Sequence, residues 1–233
     1  VNVNVYVSLG IAVGLGIGLG NLLQLGTGLT KNQLKYHELD QTYEHKEYVF
    51  LVNSDLHRYA GNSTFSSFLH NYFLEPGFRY SYWMRTSSRV KSIPILKSVL
   101  FPLCWFILKR LEFRFGISIS YKTKIGSGFY IGHFGGIIVN SNVVIGKNCN
   151  ISHLVTLGIA NRGLEKVAEI GDNVYIGPGA KIIGNIKIGN NAAIGANCVV
   201  TKDVPENGVV VGVPGRVISF EGSAGYINKT NYN

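Results

Sequence analysis

Residues 170–200 read IGDNVY (170–175), IGPGAK (176–181), IIGNIK (182–187), IGNNAA (188–193), IGANCV (194–199) and V (200). An apolar residue recurs every six positions, at Ile170, Ile176, Ile182, Ile188, Ile194 and Val200, and glycine follows it at Gly171, Gly177, Gly189 and Gly195. The fifth place of each hexad is small or β-branched: Val174, Ala180, Ile186, Ala192 and Cys198. A period of six matches neither the 3.6 of a helix nor the two-residue alternation of a strand. It matches a solenoid in which each hexad is a short strand and a turn, and three hexads close one triangular coil. Inward-pointing first and fifth places then stack between coils about 4.8 Å apart.

Working outward, the same frame runs back through Leu157, Ile151 and Ile145, and through Ile137, Ile131, Ile125 and Ile119. Between Ile137 and Ile145 it gains two residues, which the spacing places near Val143-Val144. A further departure lies at Asn161–Glu169, a loop carrying Arg162, Glu165, Lys166 and Glu169 in a charge-poor region. A charged loop leaving a rigid scaffold is either a ligand wall or a tolerated surface insertion. Past Val200 the stretch Thr201–Pro205 leaves the repeat, and Gly212-Val213-Pro214-Gly215-Arg216 closes it.

The chain divides into a Gly-rich extension and polar linker (1–47), a helical region (48–116), the solenoid (117–220) and a polar tail (221–233), read as mobile. The first thirty residues carry no charge, and glycine alternates with Ile, Leu or Val from Leu9 to Gly20. Such spacing weakens a helix by roughly 1 kcal/mol per glycine, so the segment reads as loosely attached, with membrane insertion the competing reading. In the helical region, Asn53 or Ser54 and then Ser63 or Thr64 are candidate N-caps. Glu75-Pro76-Gly77 is a stop, and Ile93–Phe115 is an apolar helix that Pro102 should kink or divide. Gly116 lies just past its end. This last helix reads either as packed on its neighbours or as an amphipathic element at a membrane surface, since Lys97, Lys109, Arg110 and Arg114 flank its Phe, Leu and Trp105 side chains.

The formal charge of the 233 residues is +9, and the segment Arg79–Lys124, with ten Lys or Arg and one acid, carries all of it. One local basic stretch favours phosphates or an anionic membrane face over general nucleic-acid binding. The three cysteines are too few and scattered for a disulfide framework. Cys149 and Cys198 hold the fifth place of their hexads and read as inert core side chains. No Cys or His cluster suggests a structural metal.

Two histidines break the repeat chemically. His133 and His153 both hold the third, outward place of a hexad and lie twenty residues apart, three hexads plus the two extra residues. If the insertion bulges outward, they stand on one corner, one coil apart, beside Gly135-Gly136. Histidine is the side chain best suited to general-base work near neutral pH.

Three stretches carry a family resemblance: Ile131-Gly132-His133-Phe134-Gly135-Gly136-Ile137-Ile138-Val139, Val155-Thr156-Leu157-Gly158, and Ile176–Ile186. Over about residues 117–218 the chain resembles the serine acetyltransferases, within the hexapeptide-repeat acyltransferases. The resemblance implies a left-handed parallel β-helix, a homotrimer with sites between subunits, and direct acetyl transfer from acetyl-CoA to a hydroxyl without a metal. His133 falls on the family's catalytic base. His153 would position the acceptor or shape the pocket. Gly158, Gly177, Pro178, Gly195 and Ala196 would lie along the CoA arm, and Lys202 and Arg216 would meet its phosphates.

The departures bear on the acceptor. The family has Asp immediately before the base, where this chain has Gly132, and an Asp orienting the base, where it has Ser118. Its Arg-His pair in the long loop is here Lys166-Val167. Losing these partners disfavours a charged amino acid and resembles the acetyltransferases of capsule and exopolysaccharide synthesis, with a sugar hydroxyl as acceptor. That reading places the protein in the cytoplasm, with peripheral contact at the inner membrane face. Serine O-acetylation is the alternative acceptor chemistry. A metal hydrolase would need three converging histidines, and a non-catalytic solenoid would need neither base nor CoA.

Overall fold

The computed structural model describes residues 31–160 and 167–232. Four helices, α1 (Lys31–Ala60), α2 (Phe65–Leu74), α3 (Pro76–Ser92) and α4 (Pro94–Phe115), precede fifteen short strands. The strands visit three sheets in rotation. One holds β1 (Ile117–Ile119), β4 (Ile137–Val139), β7 (Thr156–Gly158), β10 (Lys181–Ile183) and β13 (Val199–Val200). The second, ordered β11-β8-β5-β2, holds β2 (Lys124–Ile125), β5 (Val144–Ile145), β8 (Glu169–Ile170) and β11 (Lys187–Ile188), and the third adds β3 (Tyr130–Ile131), β6 (Asn150–Ile151), β9 (Tyr175–Ile176) and β12 (Ala193–Ile194) to two closing strands. Pairing is parallel throughout except between β14 (Val209–Val211) and β15 (Arg216–Ser219), whose antiparallel hairpin closes the last coil. The result is a left-handed parallel β-helix of about four turns with a helical region in front; the hexads called for the coil, and the family resemblance for its hand.

The hexad residues form one continuous core: Ile119, Ile131, Ile137, Ile151, Leu157, Ile170, Ile176, Ile182, Ile188 and Ile194 are all buried, with Cys149, Val174, Ala180 and Cys198 filling the fifth places. Glycine after the apolar residue is explained by coil stacking. A Cβ on Gly177 would stand 2.8 Å from the Ile194 carbonyl oxygen, and one on Gly171 would stand 2.9 Å from the Asn190 nitrogen. At another corner Asn148, Asn173, Asn191 and Asn207 all take left-handed φ near 57°, which asparagine tolerates better than most residues. Their side-chain amides bond one above another at 3.0, 3.0 and 3.2 Å.

Several sequence expectations are corrected. The two-residue insertion is not near Val143-Val144. Ile131 pairs with Ile151 and Val139 with Leu157, whereas Ile125 pairs with Ile145; the extra residues therefore lie between Ile131 and Val139, at the corner that carries His133. Lys31–Tyr48 is no linker but the first part of α1. Asn53 and Ser54 lie inside that helix; Ser54 Oγ donates to the Leu51 carbonyl and accepts from the Gly128 N–H. Pro102 does not divide α4, which is continuous. Its side chain and Ser98, whose carbonyl loses a helical partner, both face solvent. Thr64 caps α2 through a bond from the Ser67 N–H, and Gly116 ends α4 in the left-handed conformation.

The tail is docked rather than loose. Tyr226 stacks on Tyr175 with centroids 4.3 Å apart. Arg58 donates to the Asn228 carbonyl, and Tyr232 Oη donates to Asn148 Oδ1, capping the asparagine ladder. Val204, past the apparent end of the repeat, still bridges to Ile188 and is buried.

The first coil has an open edge, which in a β structure is a site for unwanted pairing. Helical side chains close it. Tyr80 Oη bonds both the N–H and the carbonyl of Ile119, and Tyr59 Oη does the same at Ile131. Asp55 accepts from the Phe129 N–H, while Arg85 donates to the carbonyls of Ile125 and Gly126 and pairs with Asp55 at 2.6 Å.

Candidate active site

The inserted residues make a bulge at one corner. His133 sits on it, exposed, with Phe134 beside it. One coil further on, His153 is half-buried, and the two imidazole centroids are 5.7 Å apart at an interplanar angle of 71°. Thus the structure brings the two histidines together, but by a bulge at His133 rather than by an insertion elsewhere. Gly135 at φ 103° and Gly136 at φ 67° make this turn possible, and a Cβ on Gly135 would meet nothing within 4 Å among the described residues. The backbone there is open to a ligand.

His153 Nδ1 is buried and has no hydrogen-bond partner among the described residues. Buried polar atoms are nearly always paired, so an unpaired ring nitrogen beside an exposed histidine marks a place for a ligand's polar group. Ser118 is on the outward face of β1, and its hydroxyl donates to Glu112 Oε1 at 2.9 Å. Glu112 in turn pairs with Lys109 at 2.6 Å. Ser118 is therefore tied to the last turn of α4. Lys166, and with it residues 161–166 of the charged loop, lies outside the described residues.

The positions expected along a CoA arm fall into two groups. At Gly177 and Gly195 the N–H groups bond the carbonyls of Ile194 and Val210, and their carbonyls accept from Ala180 and Cys198. These glycines serve coil stacking, and their backbone groups are already used. Pro178 and Ala196 occupy the turns above His153 on the same corner, since Ile151, Ile176 and Ile194 are in register. Gly158 accepts from Gly184, which has φ 107° and where an added Cβ would meet, among the described residues, only the Ala160 Cβ at 3.9 Å. Lys202 and Arg216 are both exposed and line one cavity of about 220 Å³ at the far end of the solenoid. From β4 to β13 there are three strand steps, so this basic cavity is displaced from the His133 corner by roughly 14 Å along the axis.

Lys181 escaped the sequence reading. It sits on the outward face of β10, and its Nζ donates to the carbonyl of Leu154, which follows His153 and has φ 59°. The signal available in sequence was a lysine in the sixth place of a hexad, just before Ile182, which looks like any solvated side chain.

Cys104, Cys149 and Cys198 are buried free thiols, as the hexad places of the latter two imply. Burial raises the pKa of all three, that of Cys149 to about 12. A thiol that holds its proton is a poor nucleophile. Among the described residues no group of three His, Cys, Asp or Glu side chains converges on a metal position, and no helix is long and apolar enough to cross a membrane.

A parallel β-helix of hexads with a histidine corner defines the hexapeptide-repeat class of transferases. Residues 168–202 match the family model described as bacterial transferase hexapeptide (six repeats). Serine acetyltransferase of Staphylococcus aureus (strain Mu50) is 43% identical over 112 residues, 48% of this chain and 53% of the relative. That of Synechococcus elongatus is 40% identical over 108 residues, 46% and 44% of the two chains. The chain spans about half the length of the curated relatives it matches. Among solved structures, soybean serine acetyltransferase (apoenzyme) superposes with a TM-score of 0.63 at 32% identity, covering 87% of this chain and 81% of that one. Serine acetyltransferase from Brucella abortus gives 0.64 at 28%, covering 83% and 77%. The chain belongs to the hexapeptide-repeat acyltransferase family. Its resemblance to capsular and exopolysaccharide enzymes finds no support in these relatives, all of which are serine acetyltransferases.

Proposed function

We propose that this chain is an acetyl-CoA-dependent O-acetyltransferase whose acceptor is the hydroxyl of L-serine. The observation that carries the reading is the histidine corner: an exposed His133 on an open glycine bulge, facing a His153 whose buried Nδ1 has no partner among the described residues. The serine acceptor is favoured over the sugar by the likeness to serine acetyltransferases, which extends through the helical region as well as the solenoid.

In this reading His133 takes the hydroxyl proton as the oxygen attacks the thioester carbonyl carbon of acetyl-CoA. The tetrahedral intermediate collapses with cleavage of the carbon–sulfur bond, and the imidazolium returns the proton to the leaving thiolate, giving the O-acetyl ester and CoA. N–H groups of the open Gly135-Gly136 turn would serve as donors to the oxyanion. His153 holds the acceptor through its unpaired nitrogen. Pro178 and Ala196 flank the path of the pantetheine arm, and Lys202 and Arg216 at the far cavity suit phosphates, to which charge-assisted bonds are strong. The bulge is open on one side, and a second subunit of a homotrimer would close it.

A sugar hydroxyl is the second reading. It is favoured by Gly132, which offers no side chain beside the base, and by Ser118, whose hydroxyl is engaged by Glu112. Free-thiol release with acetyl-CoA, comparing L-serine with a panel of sugars, separates the two. Turnover of L-serine with kcat/KM above ~10⁴ M⁻¹s⁻¹ is expected. Turnover of a sugar with L-serine inert would contradict the serine assignment, and no acceptor-dependent thiol release at all would contradict the transferase itself.

A further inference from the structure

The helix α4 is apolar on two faces. Leu96, Cys104, Leu108, Leu111 and Phe115 are buried against α3 and the first coil. On the other side Val99, Leu103, Phe106 and Phe113, spaced 4, 3 and 7 apart on one stripe, stand in solvent, Phe113 at 83% exposure, with Trp105 next to them. Helices apolar all round are normally covered on both sides, and exposed apolar areas of this kind mark interaction surfaces.

The charges around this face identify what covers it. Of the five charged side chains on α4, Lys109 and Glu112 pair with each other, and Lys97, Arg110 and Arg114 make no ion pair among the described residues. Arg110 lies within the apolar stripe itself, between Phe106 and Phe113. A second copy docked face to face would bring these cations together with no free acid on the helix to meet them. An anionic surface neutralises them. The helix is also too charged to cross a bilayer, so it can only lie along one, with long basic side chains reaching headgroups and aromatic rings below them.

We propose that the outer face of α4 docks this protein on an anionic lipid bilayer. The full chain should co-sediment at low salt with vesicles of phosphatidylcholine containing about 30% phosphatidylglycerol, and bind neutral vesicles or the same vesicles at high salt at least ~10-fold more weakly. The double variant F106S/F113S should lose at least ~10-fold in vesicle affinity, with unchanged helical circular dichroism, and R110E should lose binding to the anionic vesicles. Wild-type protein remaining in the supernatant, or F106S/F113S binding like wild type, would overturn the proposal. So would light scattering in which F106S/F113S halves the mass of an assembly while lipid binding is absent, the outcome that assigns the face to a second copy. Brominated lipid provides a second measurement: in Trp83→Phe protein, where Trp105 is the remaining tryptophan, emission should be quenched on binding, and unquenched emission would exclude this face from the contact.

Discussion

Replacing Arg85 by alanine should lower the melting temperature by about 6–20 °C. Arg85 and Asp55 have side chains only 5% and 1% exposed and form a two-point pair at 2.6 and 2.9 Å. The guanidinium also donates to the carbonyls of Ile125 and Gly126 on the open edge of the first coil. Removing it leaves a buried carboxylate facing only the Phe129 N–H and the distal Arg58, and two edge carbonyls lose a donor. Breaking a buried pair on one side costs about 3–5 kcal/mol, and each kcal/mol shifts a chain of this size by about 2–4 °C. Thermal denaturation followed by far-ultraviolet circular dichroism reads the shift directly. A double variant, Asp55→Leu with Arg85→Met, should recover much of the loss, because an apolar pair of similar volume leaves no uncompensated charge. A shift below about 2 °C for Arg85→Ala would refute the view that these side chains seal the solenoid edge.

Two further outcomes follow from the same contacts. Burial raises the Cys149 thiol to about 12, whereas an unfolded chain's thiol ionises near ~8.5; the folded state therefore holds its proton longer, and this contribution to stability is complete below pH ~8.5 and fades as pH rises toward ~12. Iodoacetamide at about pH 9, just above the free-thiol pKa, should label Cys149 only after denaturation, and rapid labelling of folded protein would contradict the burial. Removing residues 222–233 deletes the Tyr226–Tyr175 stack and the bonds of Arg58 to Asn228 and Tyr232 to Asn148, a loss of about 2–4 kcal/mol from ~1 kcal/mol per bond and stack. The truncated chain should melt several degrees lower, and an unchanged melt would mean that the tail contributes nothing.

The solenoid was legible because its physics is local: an inward residue every six positions cannot be satisfied by any other element, and Ile119 through Val200 hold their places in the core. The histidine corner was legible for the same reason, yet its mechanism was misplaced. Ile137 lies six residues after Ile131 and so looks in frame, but the ladder pairs Val139, not Ile137, with Leu157. Spacing along one strand records that two residues were added; only pairing between coils records where. The edge seal of Ser54, Asp55, Tyr59, Tyr80 and Arg85 was invisible, since it matches side chains to backbone groups some 40 to 74 residues away. The early part of α1 misled because residues 31–47 are mostly polar and charged in sequence. The tail misled because polar sequence is usually mobile, whereas here Tyr226, Asn228 and Tyr232 find specific partners on the solenoid.

The central claim is that His133 is the base of an acetyl transfer performed at the bulged corner. It is tested most directly by the single-turnover rate of the His133→Gln variant, measured with acetyl-CoA and saturating acceptor. The rate should fall by ~10²–10⁴, the range for loss of a general base, while CoA binding by calorimetry and the melting temperature stay unchanged. A variant that retains more than about a tenth of the wild-type rate would contradict the assignment of the base.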